Sequence, residues 1–264
     1  MMRRLRRHDG VEVEVRITRD DFIRPPRDSQ RSWLVNRTMT ELTEELRYLD
    51  RAARGFVAGR EHAGVPDRAT APLRDEEIME DWQVPIMQVM AALVAAAHGD
   101  VLEVGFGRGV SASFLQDAGV RSHTIVECNP SVIDRFHQWR AALPAERDVR
   151  LITGRWQDTT DRLAQYDGVF FHTYPLDDDE YADAVVRGVT FAADFFPVAA
   201  RHLRPGGVFT YLTNEADSVS RAHQRLLLEH FREFRMQIVS PLALPDNSAD
   251  DLWADSMVVI GAIR

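Results

Sequence analysis

An open, mainly parallel α/β sheet with helices on both faces is the fold this sequence predicts, and three observations carry it. From residue 76 onward, short apolar runs alternate with amphipathic stretches of helical length. The first strong run, "DVLEV", passes directly into a glycine turn, "GFGRG", that opens a helix. The same alternation then repeats to the end of the chain. Strands separated by helices of this length pair in parallel and are covered on both faces. Ligands of such sheets sit beyond the carboxyl ends of the strands, where the strand order reverses.

The elements read in order. "EEIMEDWQVPIMQVMAALVAAA" is a helix with a kink at Pro85. "DVLEVGFGRG" is a buried strand and turn, and "SASFLQDA" continues as helix. "SHTIVECNPS" is a second strand, followed by the helix "SVIDRFHQWRAAL". "DVRLITGRWQD" is a third strand running into a loop, and "YDGVFFHTYPL" is a fourth. "YADAVVRGVTFAADFFPVAARHLRPGG" is helical as far as its Pro-Gly-Gly stop. "GVFTYLTN" is a fifth strand, "RAHQRLLLEHFREFRM" a helix, and "QIVSPLAL" and "SMVVIGAIR" late strands. The domain spans 76–264 and its sheet has seven strands.

Residues 1–75 form an N-terminal arm or lid. "VEVEVRI" alternates with period two, as a half-buried strand does. "RPPRDSQ" breaks it. "TMTELTEELRYLDRAARGFV" is an amphipathic helix with Thr40 as N-cap and Leu42, Leu46, Leu49 and Ala53 on one face.

Composition narrows the function classes. The net charge of −9, with no long basic face, argues against nucleic acid. The longest apolar run, "MAALVAAA", is too short to span a bilayer. A single cysteine, Cys128, excludes an internal disulfide and a Cys-rich zinc site, which fits a cytoplasmic protein. All 32 basic residues are arginine.

The glycine turn is the cofactor signal. Glu103, Gly105, Gly107 and Gly109 are spaced E-x-G-x-G-x-G, with an acid two residues before the first glycine. That acid position is typical of enzymes using S-adenosyl-L-methionine and unusual for nicotinamide enzymes. The second strand ends in Glu127, where a carboxylate accepts hydrogen bonds from a ribose diol. Trp156 offers a flat apolar wall for adenine, and Gln157 a paired donor and acceptor.

The segments "IMEDWQVPIM", "VLEVGFGRG", "IVECNPSV", "GRWQD", "YDGVFFHTYPL" and "LRPGGVFTY" lie in order over residues 78–211. Together they resemble guanidinoacetate N-methyltransferase and, nearly as well, the fungal arginine delta-N-methyltransferase. The resemblance implies a Rossmann-like class I methyltransferase domain that binds S-adenosyl-L-methionine. It implies that Met79 and Met87 line the methionine and sulfonium side, and that Phe106 and Gly107 hug the amino-acid end. Glu127 would hold the ribose with Cys128 and Asn129 beside the adenine, and Trp156 and Gln157 would frame the base. The arm would close over the site or be exchanged in a homodimer.

Two departures stand out. The family grips a planar guanidinium with two carboxylates, and here those positions hold Gln83 and His172. A neutral amide and an imidazole cannot pair bidentately with that cation. Leaving it buried without a counter-ion costs several kcal/mol. Glu80 and Asp81 are on a different phase of the helix and would substitute only for a shifted substrate. The acceptor is therefore expected to be a small molecule without a guanidino group, methylated at nitrogen. His172 would serve as base or orienting group at a pKa near neutrality, with Tyr174 beside it. O-methylation, other alkyl chemistry from the same cofactor, and a cofactor-binding protein without turnover stay open. Asn214 and Glu215 fall where the family's loop holds the substrate carboxylate, though Glu215 disfavours an anion. No metal site is expected: Asp177, Asp178 and Asp179 read as a solvated helix cap. The other eight histidines show no partner pattern.

Overall fold

The computed structural model describes residues 15–18, 67–177, 180, 190–213, 215, 218–243 and 256–264. The expected helix from Thr38 to Val57 lies outside them. The strands form one eight-stranded sheet in the order β1-β7-β8-β6-β5-β2-β3-β4. They are β1 (Val15–Thr18), β2 (Asp100–Val104), β3 (Ser122–Glu127), β4 (Val149–Thr153), β5 (Tyr166–Phe171), β6 (Leu203–Leu212), β7 (Glu233–Val239) and β8 (Met257–Ile263). The seven strands β2 to β8 make the expected doubly wound, mainly parallel sheet. β8 runs antiparallel to both β6 and β7. The eighth strand comes from the arm: β1 pairs antiparallel with β7 along the sheet edge.

The strand order fixes where a ligand can sit. From β2 the chain winds one way through β3 to β4, and from β5 the other way through β6. The crevice between the carboxyl ends of β2 and β5 is therefore the switch point. These two ends touch through main chain: the His172 N–H donates to the Val104 carbonyl at 3.1 Å.

One face of the sheet is covered by helix α2 (Val84–Ala95). Its Ile86, Met87, Met90, Ala91 and Val94 are buried with Val101, Phe170 and Val259. The other face carries an aromatic layer of Phe171, Phe195, Phe196, Phe209, Tyr211, Phe231 and Phe234. Rings in it stack or meet edge to face, as Phe171 and Phe195 do at 4.7 Å.

Several boundaries differ from the sequence reading. Pro85 does not kink a long helix; it sits in the first turn of α2, where its missing N–H costs nothing. The expected helix is instead split. A short α1 (Asp75–Ile78) ends at an extended Met79, and a 3-10 turn over Asp81–Gln83 leads into α2. "GRWQD" holds a one-turn helix, α5 (Trp156–Thr159), rather than a loop. The long helix expected before β6 is interrupted at the extended Thr190, after which come a 3-10 turn (Phe191–Phe195) and α6 (Phe196–His202); its first part, 181–189, lies outside the described residues. The ladder of β6 takes over at Leu203, before the Pro-Gly-Gly. Helix α7 (Arg221–His230) stops well short of Met236, because pairing with β8 and β1 claims Glu233 onward.

Gly105 is the residue the switch point depends on. It has φ +90°, and a Cβ there would lie 2.3 Å from the His172 carbonyl oxygen. Neither strand end can retreat without breaking the sheet. A Gly105→Ala variant is expected to lose at least about 1–3 kcal/mol of stability, read by urea unfolding, and to bind S-adenosylhomocysteine poorly. Wild-type stability in this variant would show that the two strand ends are not in tight contact.

Candidate functional site

Two cavities lie end to end over the switch point. The first, about 630 Å³ with its open mouth, is lined among others by Met79, Gly105, Phe106, Gly107, Asn129 and His172. The second, about 330 Å³, runs past Gly154, Arg155, Trp156 and Gln157. Glu127, Cys128, Gly105, Thr173, Tyr174 and Leu176 line both. The result is one elongated trough across the ends of β2, β3, β4 and β5.

Glu127 ends β3 at the junction of the two cavities. One carboxylate oxygen accepts the Phe106 N–H at 3.0 Å, and the other accepts those of Cys128 and Asn129 at 2.7 and 2.9 Å. Three main-chain donors fix its orientation, and Oε2, which accepts only the Phe106 N–H, keeps a lone pair for a ligand hydroxyl. Burial, together with the Glu127 charge, pushes the neighbouring Cys128 thiol up to about 11, so it stays a neutral thiol at physiological pH. Trp156 is held edge-on by Phe171 and Phe195, at 6.2 and 5.1 Å between centroids, and Gln157 is exposed beside it. Arg155, which also lines this end, is paired with Glu180.

Asn129 does two jobs. Its Oδ1 caps α4 (Pro130–Ala142), accepting from Ser131 N at 2.8 Å. Its Nδ2 donates to the carbonyls of Arg68 and Ala71 at 2.7 and 2.8 Å. Arg68 N–H in turn donates to Leu176 O at 3.1 Å. Residues 67–73, read from sequence as the end of the arm, are thus a strap pinned to the trough from both sides. Sequence reasoning missed the strap and Arg68. A Gly/Pro/Ala-rich stretch carries no periodicity that would reveal it, and its partners lie about 60 and 108 residues away.

Of the two family departures, His172 lines the first cavity, whereas Gln83 lines neither cavity and is joined to the site through Tyr174. His172 follows β5 and lines the cavity, and its Nε2 is buried with no hydrogen-bond partner. Burial pushes its pKa down to about 4, so the expectation of a pKa near neutrality is corrected. The cause is desolvation: among the described residues no carboxylate faces the ring to hold a proton on it. Gln83 is also buried; its Nε2 donates to Tyr174 Oη at 3.3 Å and its Oε1 has no partner. The rings of His172 and Tyr174 meet edge to face at 5.7 Å. Burial, offset only in part by the Gln83 hydrogen bond, raises the Tyr174 phenol above its ordinary value. Glu80 takes the indole N–H of Trp82, and Asp81 takes Arg108 at 2.8 Å. Neither acid lines either cavity, so neither replaces the missing pair.

Four expected residues are placed elsewhere or not described. Met87 is fully buried in the α2 core and reaches neither cavity. Glu103 is fully buried behind the turn, bound by the Ser111 hydroxyl. Its other oxygen is 2.9 Å from His123 Nε2 but out of line for a hydrogen bond. Glu215 lines neither cavity; it accepts Ser220 N–H and His223 Nδ1, each at 2.7 Å. Asn214 is outside the described residues. His223, which sequence left without a partner, is fully buried between Glu215 and Tyr211. Among the described residues no group of three or more His, Cys, Asp or Glu would hold a metal, and no helix is long and apolar enough to cross a membrane.

The comparisons with known proteins agree with this geometry. The family pattern described as guanidinoacetate N-methyltransferase matches residues 67–237. The chain belongs to that family. As a family member it is an S-adenosylmethionine-dependent methyltransferase. Its curated relatives include Protein arginine N-methyltransferase 2 of Eremothecium gossypii, 30% identical over 56% of this chain and 35% of that one. The protein of the same name from Kluyveromyces lactis is 27% identical over 78% of this chain and 51% of that one. The chain thus spans about a third to a half of their length. Solved structures with some likeness include the CcbJ methyltransferase of Streptomyces caelestis, 27% identical over 48% and 49% of the two chains, TM-score 0.36. Spermidine synthase of Thermotoga maritima is 12% identical over 69% and 59%, TM-score 0.46.

The trough fits the family cofactor. Glu127 would take the ribose diol, Trp156 and Gln157 the base, and the Phe106–Gly107 turn with Met79 the amino-acid end. A Glu127→Ala variant would lose the ribose contact and leave three main-chain N–H groups unpaired. Affinity for S-adenosylhomocysteine, measured by calorimetry, is expected to fall about 10- to 100-fold, the worth of one hydrogen bond to a charged group. Unchanged affinity would remove Glu127 from the binding site.

Proposed function

We propose that this methyltransferase transfers a methyl group to the nitrogen of a small acceptor that carries no guanidino group and is neutral when bound. The observation that carries the reading is the pair of buried, unpartnered atoms His172 Nε2 and Gln83 Oε1, in the positions where the family has carboxylates. Buried unpaired polar atoms are a cost unless a ligand meets them; His172 lines the trough, and Gln83 is hydrogen-bonded to the trough-lining Tyr174. Both can accept a hydrogen bond from an N–H. Neither can neutralise a guanidinium.

S-adenosylmethionine supplies a methyl carbon made electrophilic by its sulfonium. The chain's task is to aim a nitrogen lone pair at that carbon, at about 3 to 3.5 Å. His172 Nε2 and Gln83 Oε1 would take the acceptor's N–H bonds and so fix the direction of the remaining lone pair. The Tyr174 ring forms a wall beside them. With a pKa of about 4, His172 cannot strip a proton from an alkylammonium: against an amine near 10 the transfer costs about 8 kcal/mol. It acts as a positioning acceptor, and the nitrogen is a weakly basic one, an aryl amine or an N-heterocycle. The proton released after transfer passes to water at the open mouth.

The relatives' names point to protein arginine as their substrate. This chain departs from them where a guanidinium would be gripped. Guanidinoacetate and free arginine are therefore expected to give S-adenosylhomocysteine at background rates. Turnover of either comparable to that of the best amine acceptor would end this reading. A His172→Ala variant should lose roughly 10²-fold or more in kcat while keeping its affinity for S-adenosylhomocysteine. Equal losses in both would make His172 structural.

The pH dependence has a definite sign. The active, neutral form of His172 persists until pH falls to about 4, and a bound sulfonium can only lower that further. No acid limb near pH 6.5 is expected in kcat/KM from this group. Stability behaves in parallel. The unfolded imidazole protonates below about 6.5, so His172's contribution is full above that pH and declines as pH falls toward 4. An acid limb near 6.5 that disappears in His172→Gln would contradict the burial argument.

A further inference from the structure

Arg68 lines the first cavity from the strap, half-buried, with its guanidinium carbon 5.3 Å from the centre of the Tyr174 ring. No ion pair holds it among the described residues. The other charged groups around that cavity are already occupied. Arg108 is bound by Met79 O and Asp81, and Glu127 by three N–H groups. His172 is neutral at physiological pH. Among the described residues Arg68 thus makes no ion pair: Glu77, held by Arg74, acts on it only at longer range, and the aromatic face offsets only part of its desolvation.

The acceptor-facing groups lie around the same ring. Tyr174 has Arg68 at 5.3 Å on one side, His172 at 5.7 Å on another, and Gln83 on its hydroxyl. We propose that Arg68 anchors a carboxylate of the acceptor, so the substrate class is an aromatic or heteroaromatic amino acid with its weakly basic nitrogen at His172 and its acid at Arg68. The proposal rests on the functional reading above and deepens it. A guanidinium fork is shaped for a carboxylate. The carboxylate also offsets the repulsion between Arg68 and the sulfonium. Arg68 is positioned through its main chain, by Leu176 and Asn129, so its side chain can change without releasing the strap.

The test uses the full chain saturated with S-adenosylhomocysteine. The probes are 4-aminobenzoate and imidazole-4-carboxylate, each paired with its carboxamide, and binding is read by calorimetry. At least one acid is expected to bind 10-fold or more tighter than its amide, and an Arg68→Gln variant should lose that preference while Arg68→Lys keeps part of it. Absence of any acid preference in the wild type, or its persistence in Arg68→Gln, overturns the proposal. The cofactor also has a carboxylate, so a second arm compares S-adenosylhomocysteine with methylthioadenosine, which lacks the amino-acid end. Affinity for both should be unchanged in Arg68→Gln. Loss for the former alone would assign Arg68 to the cofactor and overturn the acceptor role. Turnover of guanidinoacetate would sink the parent reading, and the acid-over-amide comparison would still decide Arg68.

Discussion

The main-chain contact between the ends of β2 and β5 is the constraint on which the site is built. His172 N–H reaches the Val104 carbonyl, and Gly105 lies flat against the His172 carbonyl. Because these ends meet, the glycine turn and the residue after β5 face one trough. The turn then presents the Phe106 N–H to Glu127, and the β5 end presents His172 and Tyr174. No side chain at position 105 would allow both. One close backbone approach thus couples the cofactor half of the trough to the acceptor half.

Electrostatics distinguishes this chain within its family. Two acids would make the acceptor end a cation site. With Gln83 and His172 in their place, the end is neutral, and Arg68, which makes no ion pair among the described residues, is positive. The low pKa of His172 follows from the same change. A buried imidazole stays neutral when no anion compensates its proton. Removing a negative pair therefore does more than weaken one substrate. On the proposed reading it converts the pocket into one that accepts N–H hydrogen bonds at one end and attracts an anion at the other.

Many of the residues that line the trough were legible in the sequence. The E-x-G-x-G-x-G turn, the acid ending the second strand and "GRWQD" are local signals, and local signals survive any error in element boundaries. The errors fell where tertiary context overrides a local pattern. Met87 is expected at the sulfonium side from the resemblance, yet it packs in the α2 core with Met90, Val101 and Phe170. Glu103 carries the expected motif position, but strand alternation turns it inward to Ser111 and His123. Glu215 looks like a loop acid, and instead accepts the N–H of Ser220, the N-cap of α7, and holds a buried histidine.

The sequence by itself determined the α/β class, the parallel order of the main elements and the identities of Gln83 and His172, because periodicity, glycine spacing and residue chemistry are written locally. Only the tertiary structure decided that His172 is dry and neutral, that Arg68 reaches the same pocket, and that β1 closes the sheet edge. Those depend on burial and on contacts between residues far apart in the chain. A pKa or an unpaired charge is a property of the surroundings, and the surroundings exist only once the chain has folded.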